Sequence, residues 1–221
     1  GQAGSVFFND LWSFDPAAGA WTELPGSGSG PAARYGAGGA FDPAGRLLVT
    51  HGFTAAGRFD DTWEYGLSNE AWLDASPAGD RPIERCLMRA VWDSPGQRLL
   101  IFGGQTTDTP FLGDLWALAG GAWTEIASEP KPSPRTFYTM VFHDAGGRVV
   151  LFGGRTADGP VNDLWLFDAA SDTWTQQTAE GAPSPRFGHD GALTAAGSLL
   201  VFGGSDGEAD FDELWELIGL A

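Results

Sequence analysis

The 221 residues hold few side chains suited to acid–base, nucleophilic or metal chemistry: three histidines (His51, His143, His189), three tyrosines and one cysteine, Cys86. Paired metal ligands on one strand or one helical turn sit two or four residues apart, and no two of these histidines do. A lone cysteine leaves no intrachain disulfide and no multi-cysteine zinc site. A phosphate loop and His-Glu-x-x-His are both missing. The expectation is therefore no metal and no cofactor, with binding preferred to catalysis.

The remaining polar groups fall into series. Arg34, Arg85, Arg135 and Arg186 follow one another at intervals of 51, 50 and 51 residues. They could offer four guanidinium groups to an acidic ligand, but recurrence in every copy favours a structural role in which each donates to backbone carbonyls. Asp10, Asp61, Asp114, Asp163 and Glu213 each stand two residues before a tryptophan. They could hold cations, yet carboxylates accepting backbone N–H groups at a strand entrance are the preferred reading. Four residues after each arginine come Gly38, Arg89, Thr139 and Asp190, an irregular set. Arg89 and Asp190 either form an ion pair or, with His189, line a polar ligand site.

These groups need a scaffold, and the tryptophans define it. Trp21, Trp72, Trp123 and Trp174 recur every 51 residues, and Trp12, Trp63, Trp116, Trp165 and Trp215 recur at 49 to 53. His51-Gly52, Gly103-Gly104, Gly153-Gly154 and Gly203-Gly204 keep the same phase. A period near fifty is the signature of a repeat architecture. Each unit reads as four short strands: one after the arginine (Arg135 to Phe142), an apolar one ending at the glycine pair (Val149 to Phe152), one at Asp163 to Phe167, and one at Trp174-Thr175. Period-two alternation puts Trp12/Phe14, Trp63/Tyr65, Trp116/Leu118, Trp165/Phe167 and Trp215/Leu217 on one face. So small a sheet cannot bury an aromatic face alone, and radial stacking of such sheets is a propeller. The tryptophans are accordingly expected between blades.

The run Pro-Arg … Phe-Gly-Gly … Asp-Leu-Trp-x-Phe-Asp … Trp-Thr, clearest over Pro134 to Thr175 and Pro185 to Leu217, resembles the kelch repeat and covers essentially the whole chain. The resemblance implies an all-β propeller of four-stranded antiparallel blades, here about four blades' worth, as one domain over 1–221. Its expected parts are a partial blade 1–24, blades 31–75, 82–127 and 133–177, and a partial blade 184–217. Thr50-His51-Gly52 departs from Phe-Gly-Gly, and a non-glycine residue at positive φ is expected to distort that blade slightly. Third strands number five against four of every other kind, so the ring either closes at four blades with a redundant strand or belongs to a larger one. An open ring would invite a homo-oligomer or strand exchange. Some kelch proteins are copper radical oxidases, or iron-dependent through Glu-x-x-x-Asp-x-x-x-His; neither ligand set is present.

In peptide-binding kelch proteins the position after the glycine pair contacts the partner. Here it is hypervariable: Phe53, Gln105, Arg155 and Ser205. Long loops are expected beside it at Thr54 to Asp60, Thr106 to Gly113 (with Phe111) and Thr156 to Asn162, on the same face as the inter-blade crossings. The first expectation is a non-catalytic module recognising a protein, peptide or glycan through that face. The alternatives are a sugar epimerase or metal-assisted oxidase, and a purely structural assembly unit. A net charge of −17 argues against nucleic acid, and no apolar run approaches the roughly 18 residues of a membrane span. Residues 1–10 lack the regions of a secretion signal. One lysine against eleven arginines resembles a GC-rich bacterial or salt-adapted composition and leaves the compartment open.

Overall fold

The computed structural model describes residues 1–26, 30–178 and 180–220. Blade 1 contains Gly38–Phe41, Arg46–Thr50, Thr62–Gly66 and Ala71–Asp74. Blade 2 contains Arg89–Asp93, Arg98–Gly104, Leu112–Ala119 and Ala122–Ile126. Blade 3 contains Thr139–His143, Arg148–Thr156, Gly159–Asp168 and Thr173–Gln177. Each is an antiparallel meander with strands paired in chain order. A fourth sheet holds Asp190–Leu193, Leu199–Phe202 and Leu214–Leu217, and an N-terminal pair holds Trp12–Asp15 and Ala20–Glu23. Among the described residues these two end sheets are not hydrogen-bonded to each other. The first strands pack side by side in chain order, from Gly38–Phe41 through Arg89–Asp93 and Thr139–His143 to Asp190–Leu193, giving a propeller arrangement of about four blades.

The core lies between sheets rather than within them. Leu48, Met88, Leu99, Ile101 and Trp123 join blades 1 and 2; Phe102, Leu115, Tyr138, Leu151, Phe167 and Trp174 join blades 2 and 3; Val150, Phe152, Leu164, Leu199 and Val201 join blade 3 to the fourth sheet. Apolar second strands lie at the centre because they are covered on both faces. The fourth-strand tryptophan reaches back to the preceding blade: the Trp174 ring is 5.6 Å from Phe102 and 5.1 Å from Phe167 of its own blade. The N-terminal copy differs from the expectation of buried tryptophans, since Trp12 is 47% and Trp21 66% exposed. The reason is the missing neighbour: among the described residues no preceding blade packs on this two-stranded sheet, so its aromatic face stays open. Trp63, Trp116 and Trp215 are half-buried, and Trp165 is buried.

The glycine pair is a bulge. In blades 2 and 3 the register slips between Phe102 and Gly104 and between Phe152 and Gly154. A Cβ on Gly154 (φ 110°) would come within 2.7 Å of the Tyr138 Cβ, so only glycine lets the next crossing approach. In blade 1 His51 takes φ 60°, and the second strand stops at Thr50, as that of the fourth sheet stops at Phe202, where those of blades 2 and 3 run through the pair. The blade 3 loop expected at Thr156 to Asn162 is instead a continuation of the hairpin, with Thr156 paired to Gly159. The physical cause is a side-chain turn: Thr156 Oγ1 accepts from the Asp158 N–H and donates to the Gly159 carbonyl. Thr54, Thr106 and Asp206 accept loop N–H groups in the same way, so each loop opens with one repeated device.

Candidate binding face

Each arginine of the 51-residue series is fixed in both directions. Its main chain belongs to the preceding blade: the Arg135 N–H donates to Leu112 O at 3.0 Å, and Arg135 O accepts from the Gly104 N–H at 3.0 Å. Its side chain belongs to its own blade. Arg135 Nε donates to Ser133 O and Nη1 to Gly153 O, while Nη1 and Nη2 together grip Asp163 at 2.6 and 2.8 Å. Arg34 with Asp61 and Arg85 with Asp114 repeat the fork, and Arg186 meets Glu213 through Nη2. The tryptophan two residues on donates its indole N–H to the same carboxylate, as Trp63, Trp116, Trp165 and Trp215 all do, and Trp12 does to Asp10.

This corrects the reading of the acidic series: the partners are guanidinium and indole, not loop N–H groups. The sequence carried the signal, because carboxylate follows arginine by 27, 29, 28 and 27 residues in successive copies. Burial, the largest single influence, would raise Asp61, Asp114 and Asp163, but the guanidinium's hydrogen bonds, its charge and the indole N–H together outweigh it and hold all three below the ordinary carboxylate range.

With the arginines turned inward, the rim is left to their neighbours. The residue after each arginine pairs through its backbone with the residue after each glycine pair: Tyr35 with Phe53, Cys86 with Gln105, Thr136 with Arg155, Phe187 with Ser205. Phe53 is half-buried between the rings of Phe7 (5.8 Å) and Tyr35 (5.6 Å). Gln105 and Phe111 are half-buried. Arg155 is exposed, its guanidinium 5.3 Å above the Phe187 ring. The Ser205 hydroxyl is committed to its own loop, bonding Ala209 O and the Gly207 N–H. Cys86 is fully buried, and burial pushes its thiol up, leaving it a packing group. Tyr35, Leu87, Phe137 and Phe187 complete the rim and were missed in the sequence. What could have found them is the variable dipeptide behind each fixed arginine: Tyr-Gly, Cys-Leu, Thr-Phe, Phe-Gly.

The structure divides the polar trio of the inner strands. Arg89 Nη2 meets Asp190 at 3.2 Å, and its Nε donates to Tyr138 O, so the side chain spans the inner strand of blade 3 in the open. Asp190 is 81% exposed in that pair. His189 is 1% exposed and points the other way, its Nε2 3.1 Å from Phe152 O in the neighbouring blade. Tyr138 uses its hydroxyl identically on Phe102 O one blade earlier.

Burial lowers His189 to about 4 and His51, beside Arg85, to about 3. A histidine depressed in the native state is protonated first in the unfolded chain, so stability falls as pH drops from about 6.5 toward those values. Replacing His189 with glutamine keeps a donor for Phe152 O and removes the titration. The unfolding free energy of His189→Gln, from denaturant titration, should therefore decline less than the parent's between pH 7 and 5, by about 2 kcal/mol. Parallel declines would mean that His189 is not held neutral.

Short stacked sheets tied by a repeated arginine–carboxylate–indole unit, with variable rim loops, define a β-propeller repeat module. A family model described as the KLHDC2/KLHL20/DRC7 kelch-repeats domain matches residues 67–218. The chain belongs to the kelch-repeat family. It is 32% identical over 210 residues to the Rab9 effector protein with kelch motifs of Gallus gallus, covering 90% of this chain and 55% of that one. It is 28% identical over 206 residues to the Xenopus laevis protein of that name, covering 88% and 56%. To an F-box/kelch-repeat protein of Arabidopsis thaliana it is 30% identical over 194 residues, covering 77% and 40%. The chain thus spans about half the length of the curated relatives it matches.

Proposed function

We infer that this chain is a binding module that holds a protein or peptide partner on its rim, centred on Phe53, Gln105, Phe111 and Arg155. One observation carries the reading: the residues that hold the blades repeat in all four copies and face inward, whereas the residues after the glycine pairs, Phe53, Gln105, Arg155 and Ser205, differ in every copy and stand at least partly in solvent. A rigid frame with divergent loops is how binding sites are usually presented. The names of the vertebrate relatives support it, since they call those proteins effectors of another protein. The test is selection of displayed random dodecapeptides on the chain. Clones should lose binding when loop residues 55–57, 107–110 and 206–210 are exchanged for glycine–serine together with Arg155→Ser, with the melting temperature held. Binding and stability lost together would overturn the reading, as would clones indifferent to the exchange.

A further inference from the structure

Two residues on the rim hold a backbone conformation that suits glycine. The second position after each arginine is left-handed in every copy: Gly36 (φ 66°), Leu87 (φ 61°), Phe137 (φ 54°) and Gly188 (φ 70°). Glycine takes this conformation freely and a Cβ resists it, yet two copies place a large apolar side chain there. Strain retained against an available glycine solution marks a site where the side chain has a use. Packing does not supply one for Phe137: it is only half-buried, its ring 6.2 Å from that of Phe187, also half-buried.

Beside them stands an unpaired cation. Arg34, Arg46, Arg81, Arg85, Arg89, Arg98, Arg135 and Arg186 all have carboxylates within ion-pair distance. Arg58, Arg148 and Arg155 have none among the described residues; Arg58 and Arg148 are half-buried, and Arg58 donates to the Thr107 hydroxyl, whereas Arg155 is exposed and rests over Phe187. The Asp190 carboxylate, three residues beyond Phe187, is met by Arg89. In a chain of net charge −17 such a guanidinium is a local positive spot in a repelling surface, which selects where an anionic group settles. Its planar fork suits a carboxylate.

We propose that Arg155, Phe187 and Phe137 form the anchor for a short extended protein segment carrying an aspartate or glutamate next to a large apolar residue. The carboxylate pairs with Arg155, and the apolar side chain lies against Phe137 and Phe187. The proposal rests on the rim being the binding face and names the chemistry it recognises.

The probe is again the displayed dodecapeptide library, selected on the unaltered chain. Clones should carry an acidic residue within a few positions of Leu, Ile, Phe or Trp. Their affinity should fall about 10-fold or more on Arg155→Glu and on Phe137→Asn, and stay within about 3-fold on Phe137→Leu. Asparagine tolerates left-handed backbone, so Phe137→Asn should keep the parent melting temperature, which separates loss of binding from loss of fold. Clones lacking acidic residues overturn the proposal. So do clones lost on the loop exchange but unchanged by Arg155→Glu and Phe137→Asn, an outcome that leaves the rim reading standing. No enrichment, or clones insensitive to every variant, overturns both.

Discussion

Truncation of Arg135 to alanine should destabilise the chain by about 3–5 kcal/mol in chemical denaturation. The side chain is fully buried, and removing it strands the Gly153 carbonyl and leaves the largely buried Asp163 carboxylate with only the Trp165 indole N–H. The loss is larger than an exposed ion pair is worth because buried groups left without partners carry their full desolvation penalty. Arg186→Ala is the internal comparison. Its carboxylate, Glu213, is 45% exposed and accepts one guanidinium bond rather than two, so water replaces more of what is removed. Arg135→Ala should therefore be clearly the more damaging. A cost below about 1 kcal/mol would place Arg135 among ordinary surface pairs and remove the basis for the two-way tie between blades.

Trp174→Ala should cost about 3–5 kcal/mol, while Trp21→Ala stays within about 0.5 kcal/mol of the parent. Both occupy the same repeat position, and both pair on the next strand with an aromatic residue, Phe167 and Phe14. They differ in what lies on the other side. Trp174 is wedged against Phe102 of the neighbouring blade, whereas Trp21 faces solvent over two-thirds of its surface. Equal losses, read from thermal or denaturant unfolding, would show that the strand pair and not the inter-blade contact sets the value of the indole.

The blades were legible in the sequence because their two requirements leave separate marks: apolar second strands before a glycine pair, and an indole at fixed phase. Strand lengths were less so. The first strand of blade 3 begins at Thr139 rather than Arg135, since the arginine main chain is occupied by the preceding blade. The hairpin at Thr156 was read as a loop because its turn is made by a threonine hydroxyl, which leaves no period-two pattern. The pairing of arginine with carboxylate was available as an offset of 27 to 29 residues but needs the second and third strands folded back before it is visible. Whether His189 faces the rim or a neighbour depends on how one strand twists, and composition does not report that. Leu87 and Phe137 were hidden because a left-handed backbone can be read from glycine alone, and two of four copies have none.

Because the arginine main chain is held by one blade and its side chain by the next, the angle between neighbours is keyed at a spot the rim does not touch. The side chains behind the glycine pairs and the exposed side chains of the rim dipeptides are thereby released from that duty, while the dipeptide main chain and the buried Cys86 and Thr136 stay with the frame. Exchange of one rim surface for another leaves the keyed joints intact, so a lineage carrying this chassis can change what it grips while keeping how it stands.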